Sequence, residues 1–321
     1  MRCIDVFNGD ADGLCALQQL RLAEAVDSVL VTGVKRDIAL LERVSAGVGD
    51  RVTVLDVALD TNRTALVRLL EAGAQVRYFD HHFAGGIPTH PHFEFSIDTS
   101  PMVCTSSLMD RHLGGRHRPW AAVAAFGDGL PVLGEQLAAQ CGLSGPDAER
   151  VARLGESLNY NSYGESVADL HLDPAELALA LRPYRSPLEF AAESPAFPRL
   201  CRGFDEDMRA AGLLRPEHET PDTALFILPN APWARRVIGV FANHIARQNP
   251  ERAHAILLPN SGGGYTVSVR APVANPVGAD ELCRQFPSGG GRNAAAGINH
   301  LPRHEVQRFV AALSRHFSAG A

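Results

Sequence analysis

The chain has 321 residues, 45% hydrophobic and 21% charged, with a formal net charge of −6. That composition excludes a disordered chain, and at roughly 150 residues per domain the length predicts about two domains. The acidic balance excludes a general binder of long duplex DNA, which is normally basic, but leaves room for a short single strand or a small phosphorylated molecule held by local arginines. Lys35 is the only lysine, so the remaining basic charge is arginine. Cys3, Cys15, Cys104, Cys141, Cys201 and Cys283 are scattered without a Cys-x-x-Cys pair, which points away from a zinc ribbon or a disulfide framework and toward a reducing, cytoplasmic setting. No apolar run approaches the ~18–20 residues of a membrane span, and the N-terminus lacks a signal-peptide pattern.

In chain order, Arg2 to Phe7 reads as a strand, Asn8 to Gly13 as a turn, and Leu14 to Ala25 as a helix. A second strand is expected at Asp27 to Thr32, a helix at Asp37 to Ser45, and a third strand at Arg51 to Val57 with Asp56 near its end. Thr61 is positioned to cap a helix that Gly73 closes. Gln75 to Phe79 is the next strand, ending in Asp80-His81-His82, and Glu94 to Ile97 is a further short one. Thr99 or Ser100 is expected to cap a helix through Cys104 to His112, and the apolar run Ala121 to Phe126 stops at Gly127-Asp128-Gly129. This alternation predicts an α/β fold: a mostly parallel sheet with helices on both faces. Helical pieces from Leu137 to Leu181 complete a first domain, 1–185. Residues 186–222, rich in proline with one long helix near 197–214, read as a linker. Residues 223–321 read as a smaller α/β domain. It carries strands at Thr223 to Leu228, His254 to Leu258 and Tyr265 to Arg270, a glycine-rich turn at Gly289-Gly290-Gly291-Arg292-Asn293, and a last helix from Arg303 to His316.

Ligands of open parallel sheets bind beyond the carboxyl ends of the strands. Asp10, Asp12, Asp56, Asp80, His81 and His82 all fall at such ends, and Asp128 sits free between glycines. Each motif alone has a bland reading. Asp-x-Asp-Gly is an ordinary turn, a His-His pair is usually surface or core, and triple glycine is usually a tight turn. Together they form a set of hard oxygen ligands with one imidazole, which suits Mn²⁺ or Mg²⁺. Two such ions ~3.5–4 Å apart serve in-line phosphoryl displacement. Arg270 and the Gly289–Gly291 turn with Arg292 are the candidates to hold the remaining phosphate oxygens. Tyr160 and Tyr163, with Asn159 and Asn161, are candidates to line the cleft but read better as structural.

The ordered set Asp10-x-Asp12-Gly13, Asp56, Asp80-His81-His82, Gly127-Asp128-Gly129 and Gly289-Gly290-Gly291-Arg292-Asn293-Ala294-Ala295-Ala296-Gly297 resembles the DHH phosphoesterase superfamily with its DHH-associated C-terminal domain. The resemblance implies a catalytic metal-binding first domain, a substrate-binding second one, and an active site in the cleft between them. It implies two Mn²⁺ ions, one on Asp10 and Asp56 and the other on Asp12, Asp56, His81 and Asp128, with Mg²⁺ as the alternative metal. Asp80 would orient the site and His82 would face the phosphate. Ser268-Val269-Arg270 and Gly289, Gly290, Gly291, Arg292 and Asn293 would bind substrate. Length and plan resemble the nanoRNase and 3′-phosphoadenosine-5′-phosphate phosphatase branch; RecJ-type exonucleases are usually longer. Two positions depart from the pattern. Val6 stands where many members have a histidine, leaving Asn8 as the nearest polar stand-in for a ligand, and Arg292 replaces a usual histidine.

The expectation is a Mn²⁺-dependent two-metal phosphoesterase acting on short single-stranded oligonucleotides or phosphorylated nucleotides, as an exonuclease or nucleotide phosphatase, possible as a homodimer and not bound to membranes. The alternatives are a cyclic or linear dinucleotide phosphodiesterase, an exopolyphosphatase or pyrophosphatase, and a non-catalytic nucleotide-binding protein with a degenerate metal site.

Overall fold

In a computed structural model that describes residues 2–318, the chain divides into two units at Gly203/Phe204. The first opens with β1 (Cys3–Phe7), α1 (Ala11–Ala23), β2 (Val29–Val31), β3 (Arg51–Leu55), α2 (Leu59–Glu71), β4 (Gln75–Asp80) and β5 (Phe93–Ile97). It continues through α3 (Thr105–His112), α4 (Arg118–Gly127), α5 (Pro131–Gln140), α6 (Pro146–Tyr160), α7 (Pro174–Leu181), α8 (Pro187–Glu193) and into α9 (Ala196–Gly212). The five strands form one sheet in the order β2-β1-β3-β4-β5, and every pairing is parallel.

Side chains alternate across this sheet, as strand geometry requires. Phe7, Leu55 and Phe79 enter one apolar layer with Leu14 and Leu17 of α1 and Trp120 and Val123 of α4. Ile4, Val6, Val52, Val54, Val76 and Tyr78 enter the opposite layer, covered by Leu66 and Leu69 of α2 and by Leu40 and Leu41. Both faces are therefore covered, and the aligned strand ends are the accessible edge. Phe7 pairs with Leu55 and Leu55 with Phe79, so the residues that follow them emerge side by side.

Several local expectations change. The helix expected at Asp37 to Ser45 is a single 3₁₀ turn, Leu40–Arg43. The next helix starts at Leu59 rather than after Thr61, and α3 is capped by Cys104 instead of Thr99 or Ser100. Residues 186–222 are divided between the units: Phe190 and Leu200 are buried in the first core, whereas Asp207 pairs with Arg236 of the second unit at 2.7 Å.

The second unit adds β6 (His218–Glu219), β7 (Thr223–Ile227), α10 (Pro232–Gln248), β8 (Ala253–Pro259), β9 (Tyr265–Arg270), α11 (Ala279–Cys283), β10 (Gly289–Arg292), β11 (Ala295–Leu301) and α12 (Val306–Phe317). Its sheet runs β10-β11-β9-β8-β7-β6, with β7 and β8 the parallel pair. The glycine-rich segment is not a turn. Gly289–Arg292 is a strand in an antiparallel hairpin with β11, and the turn falls after it. Among the described residues, no helix is long and apolar enough to cross a membrane.

The first unit's layers are close where they carry the site. A Cβ on Gly127 would stand 2.4 Å from the Cβ of Ala11 and 2.7 Å from the carbonyl oxygen of Gly155. Gly127→Ala therefore trades a helix-propensity gain of up to about 1 kcal/mol for overpacking that costs about 1–3 kcal/mol. A net loss of stability is expected, followed by denaturant unfolding through Trp120 fluorescence in a Trp233→Phe background. A more stable variant would show that α1, α4 and α6 are not held this tightly.

Candidate metal centre

The first motif is built by the start of α1. Asp10 is its N-cap, and Asp10 Oδ1 accepts from the backbone N–H groups of Asp12 and Gly13 at 3.0 and 3.1 Å. Asp12 lies in the first turn, where the helix dipole favours negative charge. Its carboxylate also accepts two N–H groups from the start of α3, Thr105 and Ser106, both at 2.7 Å. Asp12 is thus held between two helix N-termini.

Asp56 follows β3 in a left-handed backbone conformation, φ 59°. For a residue with a Cβ this costs roughly 1–2 kcal/mol, and such strain concentrates at functional sites. The N–H of Asp56 reaches the carbonyl of Phe79 at 3.0 Å, and its Oδ1 accepts from Thr105 Oγ1 at 3.1 Å. Asp128 comes from the other direction, as the C-cap of α4, with Gly129 left-handed behind it. A helix C-terminus disfavours an acid, so this placement needs a nearby cation.

His81 lies among these acids. Its Nδ1 is 2.9 Å from the carbonyl of Val103. A carbonyl only accepts, so Nδ1 carries the proton and Nε2 is directed at the carboxylates. Nε2 is 3.4 Å from Asp56 Oδ1, 3.8 Å from Asp128 Oδ2 and 3.9 Å from Asp12 Oδ2. Asp12, His81 and Asp128 form one group with ligand atoms within 4.8 Å of one another; Asp56, His81 and His82 form another. His82 Nδ1 bonds Asp80 Oδ1 at 2.8 Å. Asp80 is fully buried, and its Oδ2 has no hydrogen-bond partner.

The electrostatics fit a cation. Burial and the charge of Asp56 push the Asp12 carboxyl up to about 7. Burial and the charge of Asp10 raise Asp56 to about 6, and burial with the charge of Asp12 raises Asp128 to about 6. Burial alone would lower His81, but its bond to Asp56 and the surrounding acids raise it to about 10. These are carboxylates and an imidazole short of positive charge. Hard oxygens with one imidazole nitrogen suit Mn²⁺ or Mg²⁺, and Asp12, Asp56, His81 and Asp128 are the residues that would hold such an ion.

Asp10 is placed differently. Its Oδ2 is 2.5 Å from Lys35 Nζ, which also lies 3.6 Å from Asp128 Oδ1 and 3.3 Å from Asn159 Oδ1. Burial opposes charge on Asp10, but Lys35 and the Gly13 N–H outweigh it and hold the carboxyl below its usual value. Asn8 turns its side-chain NH₂ toward the Lys35 carbonyl at 3.5 Å, and its buried Oδ1 has no hydrogen-bond partner. The sequence offers no role for Lys35, the Val103 carbonyl or the α3 N–H groups, and it reads Asn159 as structural. Lys35 alone carried a signal, as the single lysine of the chain.

The expected substrate residues lie in the second unit, on β9 and the β10–β11 hairpin. Arg270 Nε donates to Asn243 Oδ1 at 2.6 Å and its Nη1 to Ser268 Oγ at 3.0 Å. Gly289 and Gly291 have packing reasons: a Cβ would meet the Cys283 carbonyl oxygen at 1.8 Å and Ala296 Cα at 2.5 Å. Gly290 has none, since its Cβ would enter open space. Arg292 and Asn293 are exposed, and the Asn293 carbonyl accepts from Ala279 N–H at 2.9 Å.

Because His81 is protonated below about pH 10, an ion must displace a proton from it throughout the neutral range. Apparent Mn²⁺ affinity is therefore expected to rise about tenfold per pH unit from pH 7 to 8.5. The slope steepens below pH 7, where Asp12 and then Asp56 and Asp128 also begin to bind protons. Titration calorimetry in buffers of different ionisation enthalpy measures both the slope and the proton released. An affinity flat across this range would contradict the assignment of His81.

No family model and no curated protein matches the sequence. Solved structures match it from end to end. The exonuclease RecJ bound to manganese is 21% identical with a TM-score of 0.64, over 98% of this chain and 89% of that one. RecJ from Thermus thermophilus in complex with Mn²⁺ is also 21% identical, TM-score 0.66, and this chain spans only 51% of it. The pGpG-specific phosphodiesterase PggH from Vibrio cholerae is 15% identical, TM-score 0.56, over 98% and 97% of the two chains. Over 98% of its length the chain has the fold of RecJ and PggH, the fold that the resemblance of its motifs leads one to expect.

Proposed function

We propose that this chain is a divalent-metal-dependent phosphoesterase acting on short single-stranded oligonucleotides or phosphorylated nucleotides. The observation that carries the reading is the convergence of Asp12, Asp56 and Asp128 on His81 Nε2 at the carboxyl edge of a parallel sheet. When bound, a divalent ion supplies Lewis-acid polarisation of a phosphoryl oxygen and activation of water. The chain's own residues do the rest. Asp12, Asp56, His81 and Asp128 hold the ion, with Asp12 fixed by the α1 and α3 N-termini and His81 by Val103. His82 is half exposed, and its bond to Asp80 raises its pKa. With Nδ1–H donating to Asp80, the protonated ring, which that bond favours, has its Nε2–H left to donate to a phosphate oxygen or leaving group. Arg270, Arg292, Asn293 and the hairpin glycines Gly289, Gly290 and Gly291 are assigned to substrate. Supporting that role, Gly290 leaves open backbone beside an exposed guanidinium.

A linear dinucleotide is the second reading. This chain and the pGpG-specific phosphodiesterase cover one another almost completely, at 98% and 97%, whereas the chain spans about half of the Thermus RecJ.

The reading is tested with a Mn²⁺ substrate panel of dinucleotides, longer oligonucleotides, a nucleoside bisphosphate, cyclic dinucleotides and polyphosphate. Asp56→Asn is the most informative variant, because asparagine tolerates the left-handed backbone while losing the charge. A fall in kcat/KM of a thousandfold or more is expected, about 4 kcal/mol of transition-state stabilisation, and full activity would sink the metal assignment. Arg292→Ala should raise KM several-fold with kcat nearly unchanged, as expected for uniform phosphate binding. An unchanged KM would remove Arg292 from the substrate site.

A further inference from the structure

Two ions were expected, the first on Asp10 and Asp56. The groups around Asp10 are arranged for something else. One oxygen of Asp10 is occupied by its own helix, accepting from Asp12 and Gly13 N–H. The other is taken by the Lys35 ammonium at 2.5 Å. Asp10 does interact with Asp56, but among the described residues the groups of three or more histidine, cysteine or acidic side chains placed to hold an ion are Asp12, His81 and Asp128, and Asp56, His81 and His82. Asp10 is in neither set. Val6, where a histidine would complete a first ion's ligands, is fully buried in the apolar layer on the opposite face of the sheet.

Lys35 is held in place by more than its ion pairs. Its N–H donates to the Ser162 carbonyl at 2.9 Å, and its own carbonyl accepts from Asn8. The ammonium also reaches Asn159 Oδ1 and lies 5.8 Å from the Tyr163 ring centroid. The end of α6 and the connection to α7 thus supply three contacts to this one residue. An ammonium between Asp10 and Asp128 repels a dication beside Asp10 and neutralises Asp10, the carboxylate expected to belong to the first ion alone. It is a strongly hydrated point charge with three donors, able to meet a phosphate oxygen as well as an acid.

We propose that Lys35 occupies the place of the first ion as a permanent protein-borne cation, so that the centre takes one divalent ion, on Asp12, Asp56, His81 and Asp128. This rests on the metal-dependent reading above and narrows its stoichiometry. Lys35 then keeps Asp10 ionised, offsets the acid at the α4 C-terminus, and presents its remaining donor to the substrate phosphate beside the single ion.

The test is metal stoichiometry of the full chain with Mn²⁺ alone, by titration calorimetry and electron paramagnetic resonance. The wild type is expected to bind one Mn²⁺ with the six-line spectrum of an isolated ion. Lys35→Ala is expected to take up a second, weaker ion, with loss of six-line intensity as the pair couples. Lys35→Met keeps the buried stem. It leaves Asp10 and Asp128 without their ammonium, so it is expected to fold and bind one ion but to melt below the wild type, with hydrolysis of bis(p-nitrophenyl) phosphate reduced a hundredfold or more. Two coupled ions in the wild type would overturn the proposal and leave the metal-dependent reading standing. One ion in both wild type and Lys35→Ala, with unchanged hydrolysis in Lys35→Met, would also overturn it. No ion bound by any of the chains would overturn the proposal and the metal-dependent reading together.

Discussion

The structure is governed by the cost of burying like charges together. Asp10, Asp12, Asp56 and Asp128 are withdrawn from water at one edge of a sheet, with Asp80 fully buried beside them. Desolvation and mutual repulsion push three of these carboxyls well above their ordinary range. A fold that gains only about 5–15 kcal/mol in total does not keep such a cluster without compensating positive charge. The surroundings of the cluster read as successive answers to that demand.

Peptide dipoles answer part of it. Two helix N-termini converge on Asp12, and Asp10 caps the first of them. A side-chain ammonium answers another part at Asp10 and Asp128. His81 answers with a proton when no metal is present, and its fixed Nδ1–H leaves the nitrogen an ion would use directed at the acids. The strained backbone at Asp56 belongs to the same scheme. A left-handed residue directly after β3 turns the carboxylate into the cluster instead of letting it follow the strand.

The charge is therefore divided between a preorganised protein part and a part left for an exchangeable ion. Electrostatic groups fixed before substrate arrives stabilise developing charge without reorganisation. Lys35 and the helix termini are fixed in this sense, and on the proposed reading the His81 side is where a metal would compete with a proton. In the second unit, glycines serve two ends. Gly289 and Gly291 allow close backbone packing, while Gly290 leaves open space next to Arg292.

The parallel sheet, its strands and the acids at their ends are legible in the order of residues alone. Those are local properties: apolar alternation sets the strand, and a polar residue after an apolar run marks its exit. The sequence also supplied the identities of Asp12, Asp56, His81 and Asp128, because their order along the chain carried the DHH resemblance. What lies across from them emerges only from the folded packing. Lys35, Asn159, the Val103 carbonyl and the Thr105 and Ser106 N–H groups reach the site from loops and helix ends distant in sequence, and no periodicity encodes such contacts. The glycine-rich segment reads as a turn in the sequence for a related reason. Its strand character comes from pairing with β11, a partner that glycine's weak intrinsic preference does not reveal. Asp128 likewise looked like a residue in a loop, and packing of α4 on α1 made it a fourth wall of the site.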